Sequence, residues 1–374
     1  MDEPFHVPQA QRYCDNNFEW DPKITTPPAL YYLSLILAPL IGCSIFSLRF
    51  TNVLLGFWKY YLLAKLVPSP GWLYVLPIPF FYHHLYYTDT LSEVLMLQSY
   101  YGVISGSRLH LFIFGFASVF VRQTNVVLLV WMVFWGIYER NKHKHPLLLS
   151  SVNKLTISEG CEVLGIYLRI IFSNGLLDMG ILLCMISYLI HLMFNYGLVQ
   201  GDVNNHQLSL HFPQLLYFGI TIFGIFALFS PIKYRLVPFA MLWCIIFIIL
   251  HYFTIHHPFL LSDNRHLTFY FWKLFYRNLT VYKELIYSFV YSVAWYAIFK
   301  RLGQFPLIPV CGFLGSLCLV LIPLPLFEFR YFIFHATIFG ICFSTPSRMS
   351  RTIIVGLNIF VITLFLLHPA HIMW

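Results

Sequence analysis

Asp2 and Glu3 open a stretch, MDEPFHVPQAQRYCDNNFEWD, that also holds Asp15, Glu19 and Asp21. These are five of only 15 acidic residues in a chain of 374, so a third of the carboxylates fall at one end. An ionised carboxylate within roughly 3 Å of a hydroxyl, such as that of a sugar, can take its proton as the oxygen attacks. Asp2 is the first candidate for such a base and Glu3 the second, because adjacent side chains point in different directions. If a helix starts near Pro4, His6, Gln9 and Arg12 follow at the three-to-four spacing that shares one face. His6 and Gln9 are therefore candidate substrate-binding residues. The competing reading is a solvated acidic tail, and both stand at this point.

A second polar constellation is Asp263-Asn264-Arg265-His266. Arg265 offers a planar fork suited to phosphate oxygens, and Asn264 and His266 can donate to phosphate or to sugar hydroxyls. Tyr270, Trp272 and Tyr276 follow; they can stack on a sugar or form an aromatic belt at a membrane interface. An interfacial anchor explains the segment equally well. His256, His257 and Asp263 are too loosely spaced to argue for a metal, and none is expected. Arg122 in VFVRQTNVVLLV and Arg330 in PLPLFEFRYFIF are charges in apolar surroundings, and such residues serve packing specificity or function. Both are candidate ligand-binding residues, and Glu328 precedes Arg330 by two positions. Asp202, His206 and His211 are polar without a diagnostic pattern. Asn278-Leu279-Thr280 matches a glycosylation acceptor.

What must position these residues is a membrane. Hydrophobic residues make up 59% of the chain and charged residues 10%, with 38 Phe and 25 Tyr. A soluble domain is nearer about 45–50% apolar and about 25% charged. Runs such as FAMLWCIIFIILHYF are apolar on every face, which suits a helix in hydrocarbon and not a half-lumenal barrel strand. The fold class is thus all-α and polytopic, with candidate spans near 29–47, 50–67, 72–88, 90–104, 111–137, 176–198, 215–230, 236–255, 284–299, 305–325, 329–345 and 351–368. That is about 11–13 transmembrane helices at roughly 20 residues per straight span. Pro77, Pro79, Pro309 and Pro323 predict bends or breaks. The scattered cysteines form no close pair, so Cys43, Cys184, Cys244, Cys311 and Cys342 read as small apolar fillers.

Basic residues set the orientation. Loops 139–160, 230–236, 299–304 and 346–351 hold ten Lys and Arg in 41 positions, against seven in 78 for 1–28, 199–213, 255–283 and 325–330. The first set is expected on the cytoplasmic side, with 139–160 as its main basic loop. The acidic segment 1–28 and the polar segment 255–283 then face away from the cytoplasm. The formal charge of +8 comes without a basic block of nucleic-acid size, so no nucleic-acid partner is expected.

Taken together and in order, MDEPFHVPQAQRYC, WDPKITTPPALYYLS, FVRQTNVV, HFPQLLYF, LLSDNRHLTFYFWK and LFEFRYF resemble the dolichyl-phosphate-glucose-dependent alpha-1,2-glucosyltransferase family of the endoplasmic reticulum. The resemblance runs from residue 2 to about residue 370 and implies one multi-helix transmembrane domain of the lipid-phosphosugar-dependent (GT-C) type. It implies transfer of glucose from dolichyl phosphate glucose onto Glc2Man9GlcNAc2-diphosphate-dolichol at the lumenal face of the endoplasmic reticulum membrane. Relatives carry a cytoplasmic tail and one helix before the acidic motif, whereas this chain begins at the motif. Its amino terminus is therefore expected to be translocated by the next span.

A donor joining glucose to phosphate in the β configuration and an α product imply one inverting displacement. Asp2 would be the base, with Arg265 and His266 on the donor phosphate and Arg122 or Arg330 assisting. No cofactor and no soluble nucleotide sugar is expected, since there is no glycine-rich phosphate loop. Composition alone also suits a transporter or channel, or a non-catalytic membrane regulator. A transporter should show paired repeats of broken spans, and none is evident.

Overall fold

The structure is a computed structural model that describes residues 3–174, 178, 180–183, 186, 187, 190, 209–226, 235–255, 267–344 and 347–367. Among these residues the chain is helical, and the one strand-like pairing is an isolated bridge between Ser151 and Pro306. The helices are α1 (Glu3–Cys14), α2 (Ala29–Ile41), α3 (Ile45–Leu66), α4 (Gly71–Tyr74), α5 (Pro77–Tyr82), α6 (Thr88–Ile104), α7 (Arg108–Val119) and α8 (Asn125–Asn141). They continue as α9 (Ile157–Asn174), α10 (Pro213–Ile225), α11 (Leu236–Phe253), α12 (Leu267–Phe275), α13 (Val281–Leu302), α14 (Leu307–Leu321), α15 (Ile333–Cys342) and α16 (Arg348–Leu367).

The bundle is built around α6, whose side chains are buried almost throughout and which packs against α3, α7, α8 and α15. Gly106, at φ 75°, turns α6 back into α7, as Gly42, at φ 73°, turns α2 towards α3. A Cβ on Gly102 would lie 2.7 Å from the Leu111 backbone nitrogen, so only glycine allows the two helices to close that far. Inside this bundle Lys59 of α3 lies 2.9 Å from a Glu93 oxygen of α6, and Thr337 of α15 donates to the same oxygen at 2.6 Å. Outward, Ile36, Leu40, Phe46 and Phe172 are each more than two-thirds exposed. An apolar surface of that kind is covered by lipid in a membrane protein.

Helix ends follow local chemistry. The Ser44 hydroxyl accepts from Ser47 N–H at the start of α3, and Ser107 does the same for His110 in α7. At the start of α9, Thr156 N–H and Oγ1 both donate to Glu159, a capping box that holds the Glu159 pKa below its ordinary value.

Several expectations change. α11 and α16 are long and apolar enough to cross a bilayer, and α2 with α3 would make a third if the pair is one span, bent by 110°. The described residues thus show two or three crossing-length helices, fewer than the about 11–13 read from apolar runs. Residues 29–47 are not one helix, because the chain turns at Gly42. The run 72–88 divides into α4 and α5, with Pro77 opening α5. Pro309 sits in the first turn of α14, where a missing N–H costs nothing, and Pro323 lies just past its end. The run 111–137 breaks at residues 120–124, so Arg122 is not inside a continuous helix. α9 begins inside the stretch read as the basic loop 139–160. Most of the expected span 176–198 lies outside the described residues.

Cysteine also needs correction. Cys43 is not a filler but is bonded to Cys14, with Cα atoms 6.5 Å apart and a separation of 29 positions in sequence. The bend after α2 brings Cys43 back to the end of α1, a closeness that sequence spacing does not record. Cys244 and Cys311 are exposed free thiols, Cys342 meets the Tyr100 hydroxyl, and Cys184 lies outside the described residues.

Candidate functional site

The residues joining α5 to α6, 82–89, form a ledge that is buried apart from His84. Its backbone is held from two helices. Asn52 of α3 donates Nδ2 to the carbonyls of Leu85 at 2.6 Å and Tyr87 at 2.9 Å. Glu3, in the first turn of α1, accepts from the Tyr86 N–H at 2.8 Å. Arg49 of α3 completes this joint with a bidentate pair to Glu3, Nε to Oε1 at 2.9 Å and Nη2 to Oε2 at 2.7 Å.

Three more side chains converge on the ledge. His6 sits edge-on to the Tyr87 ring at 5.5 Å and shares a 2.5 Å hydrogen bond between its Nδ1 and the Tyr31 hydroxyl. The Arg330 guanidinium lies 5.8 Å over the Tyr87 ring and 5.7 Å from that of Tyr331, and it pairs with Glu328. Arg330 reaches this place from a short 3-10 turn, Phe329–Phe332, ahead of α15. Arg122 pairs with Asp89, the acidic residue in the first turn of α6. The break that carries Arg122 is tied to the linker before α2: Gln123 donates to the Thr25 carbonyl at 2.9 Å, and Ala29 N–H to that of Phe120 at 3.2 Å. An imidazole, an aromatic face and two guanidinium groups on one ledge suit a phosphorylated sugar, with Arg forks for phosphate oxygens and a ring for a sugar face.

Thus Glu3, His6, Arg122 and Arg330 come together. Gln9 does not join them: it is buried under the α1–α2 linker, donating to the Glu19 carbonyl at 2.9 Å and accepting from Asp21 N–H at 3.0 Å. Arg12 is exposed, because steps of three residues drift about 60° each around a helix, so that Tyr13 rather than Arg12 continues the buried face of His6 and Gln9. Asp2, Asn264, Arg265 and His266 lie outside the described residues, as do Asp202, His206, His256, His257 and Asp263. His211 Nδ1 lies 3.3 Å from the Leu324 carbonyl, and Gln214 donates to that of Leu326 at 2.7 Å. Tyr276 is buried against the Tyr291 hydroxyl, whereas Asn278 and Thr280 are exposed.

Sequence reasoning passed over Arg49, Asn52, Tyr87 and Asp89. The available signal was the polar YYTDT at the mouth of α6, with an aspartate where a helix N-terminus favours negative charge.

The sequence profile of the DIE2/ALG10 family matches residues 1–341. The chain is 32% identical to the Dol-P-Glc:Glc(2)Man(9)GlcNAc(2)-PP-Dol alpha-1,2-glucosyltransferase of Homo sapiens, over 92% of this chain and 84% of that protein. It is 33% identical to the protein of the same description from Drosophila melanogaster, over 89% and 81%. For the Arabidopsis thaliana protein the identity is 28%, over 99% and 92%. No solved structure matches. With a family profile covering most of its length and relatives of this identity, the chain belongs to the DIE2/ALG10 family.

Proposed function

We propose that this protein transfers glucose from dolichyl phosphate glucose, in α-1,2 linkage, onto Glc2Man9GlcNAc2-diphosphate-dolichol in the endoplasmic reticulum membrane. The activity is the one named for its relatives. The observation that supports placing it at the ledge is the convergence of Glu3, His6, Arg122 and Arg330, from distant parts of the chain, on residues 82–89.

The acceptor 2-hydroxyl attacks the anomeric carbon of the donor as the bond from that carbon to the phosphate oxygen breaks. Dolichyl phosphate leaves, and the configuration inverts from β to α. Phosphate is a good leaving group, so the need is for a base at the attacking oxygen. Asp2 is that base. Both oxygens of Glu3 are engaged by Arg49 and one also by Tyr86 N–H, so Glu3 acts as a positioning residue beside it. Arg330, Arg265 and His266 are assigned to binding the donor phosphate; Arg122 shapes the ledge through Asp89. The dolichyl chain lies along apolar helices, with its sugar at the water boundary.

The ledge faces the lumen. Two features support this: basic residues concentrate in the loops assigned to the other side, and the Cys14–Cys43 bond, at the far end of the helix whose first turn meets the ledge, belongs in an oxidising compartment. We read the chain as one transmembrane domain of about 11–13 spans of GT-C type, with several spans built from bent or broken helices.

The test supplies purified protein in lipid with both substrates and analyses the oligosaccharide released from the product. A third glucose, removed by an enzyme specific for terminal α-1,2 linkage, is expected. Recovery of only the diglucosylated acceptor from folded protein contradicts the proposal.

A further inference from the structure

α1 is tied at both ends to α3 and the corner that leads into it. At its first turn the tie is the Arg49–Glu3 fork, shared with the ledge through Tyr86 N–H. At its last turn the tie is the Cys14–Cys43 bond, reinforced by Gln11, which donates to the Cys43 carbonyl at 3.2 Å. Between the two ties His6 is held against Tyr31 and Tyr87. We infer that these ties form a two-point clamp that sets the register of α1 against the 82–89 ledge for glucosyl transfer, with Arg49 and the Cys14–Cys43 bond as its positioning residues. The inference rests on the reaction proposed above.

The physical case is leverage. A helix of 12 residues is about 18 Å long. Held at one end only, a swing of about 5° moves its free end by roughly 1.5 Å, and a misplacement near 1 Å costs about 10²-fold in rate. Packing alone is a weak guard, because α1 is short and one side of it faces solvent, with Pro4, Phe5, Pro8 and Arg12 exposed. Either tie leaves a pivot; the two together remove it. Arg49 also joins helix and ledge in one hydrogen-bonded unit, so α1 and Tyr86 cannot shift independently.

The experiment uses the full chain in lipid bilayers with dolichyl phosphate glucose and the diglucosylated lipid acceptor. C14S/C43S and R49Q should each lower kcat by about 10²-fold, while KM for either lipid stays within about threefold. R49K should recover part of the loss, since charge returns without the fork. Dithiothreitol should lower kcat of the parent and leave C14S/C43S unchanged, and oxidised glutathione should restore the parent. Amide exchange across residues 3–14 should quicken in both variants. Parent-like kcat per folded molecule in C14S/C43S and R49Q overturns the clamp, as does unchanged exchange across 3–14, whatever Asp2→Asn does. Normal turnover in Asp2→Asn together with impaired clamp variants overturns the base assignment and leaves the clamp standing.

Discussion

Asp89 and Glu93 sit one turn apart on α6, yet they anchor polar clusters of opposite character. Glu93 lies among Lys59, Thr337 and His83, with Lys59 and Glu93 side chains 0% and 1% exposed. Lys59, Glu93 and Thr337 come from helices inside the bundle and His83 from the buried underside of the ledge, and the charges of lysine and glutamate cancel each other. Asp89 belongs to the ledge, where Arg49, Arg122 and Arg330 retain 42%, 17% and 14% exposure and the partners arrive from loops, breaks and helix ends. A charge in an apolar bundle is usually a functional signal. Here the cluster that is closed is a lock between α3, α6 and α15, and the one that is open is the site we propose. Access separates them, not burial cost.

The largest expected effect strikes the closed cluster. Lys59→Met leaves Glu93 buried without its counter-charge and should destabilise the fold by about 3–5 kcal/mol, read as a fall in melting temperature. Lys59→Met with Glu93→Met removes both charges and should restore most of that stability with turnover near normal. If the double variant is stable but inactive, the closed cluster takes part in the chemistry and the comparison breaks.

On the open side Arg330→Ala should lower donor-dependent turnover by about 10²–10³-fold, since charge developing on the leaving phosphate loses a donor. Lys at position 330 should restore charge but not the planar fork. Arg265→Ala should show the same pattern in donor kinetics. Unchanged donor kinetics in a folded variant removes that arginine from the site.

The smallest effect tests the end of the bundle away from the ledge. Ser107 caps α7 by accepting from His110 N–H at 3.3 Å. Ser107→Ala should cost about 1 kcal/mol of stability and leave turnover per folded molecule unchanged. A change in KM here would mean that the far end is coupled to the ledge.

The contrast also marks how far sequence could reach. Membrane class, helical content and family were legible because composition and ordered motifs are properties of the chain itself. Glu3, His6, Arg122 and Arg330 were legible as types in unusual surroundings. Their meeting was not, because it depends on the 110° bend between α2 and α3 and on the break at 120–124. The same bend returns Arg49 to Glu3 and Cys43 to Cys14 across 46 and 29 positions. Arg122 looked intramembrane because its neighbours are apolar, yet it lies with Gln123 in the break after α7, and Asn125 starts the next helix. Asn125 makes that start by donating to Ser92 and to the Ser118 carbonyl. Lys59 and Glu93 carried no signal beyond isolated charges in apolar runs, since their partners lie on other helices.

The central claim is that the start of α1 supplies the base at an open ledge, and single-turnover transfer by Asp2→Asn tests it most directly. Asparagine keeps nearly the same volume but cannot take the proton, so the rate should fall by about 10²–10⁴, with folding and binding of both lipids unchanged. Glu3→Gln, measured beside it, should fall less, because both Glu3 oxygens are already held by Arg49 and one also by Tyr86 N–H. A folded Asp2→Asn protein that transfers glucose at the parent rate in a single turnover contradicts the account.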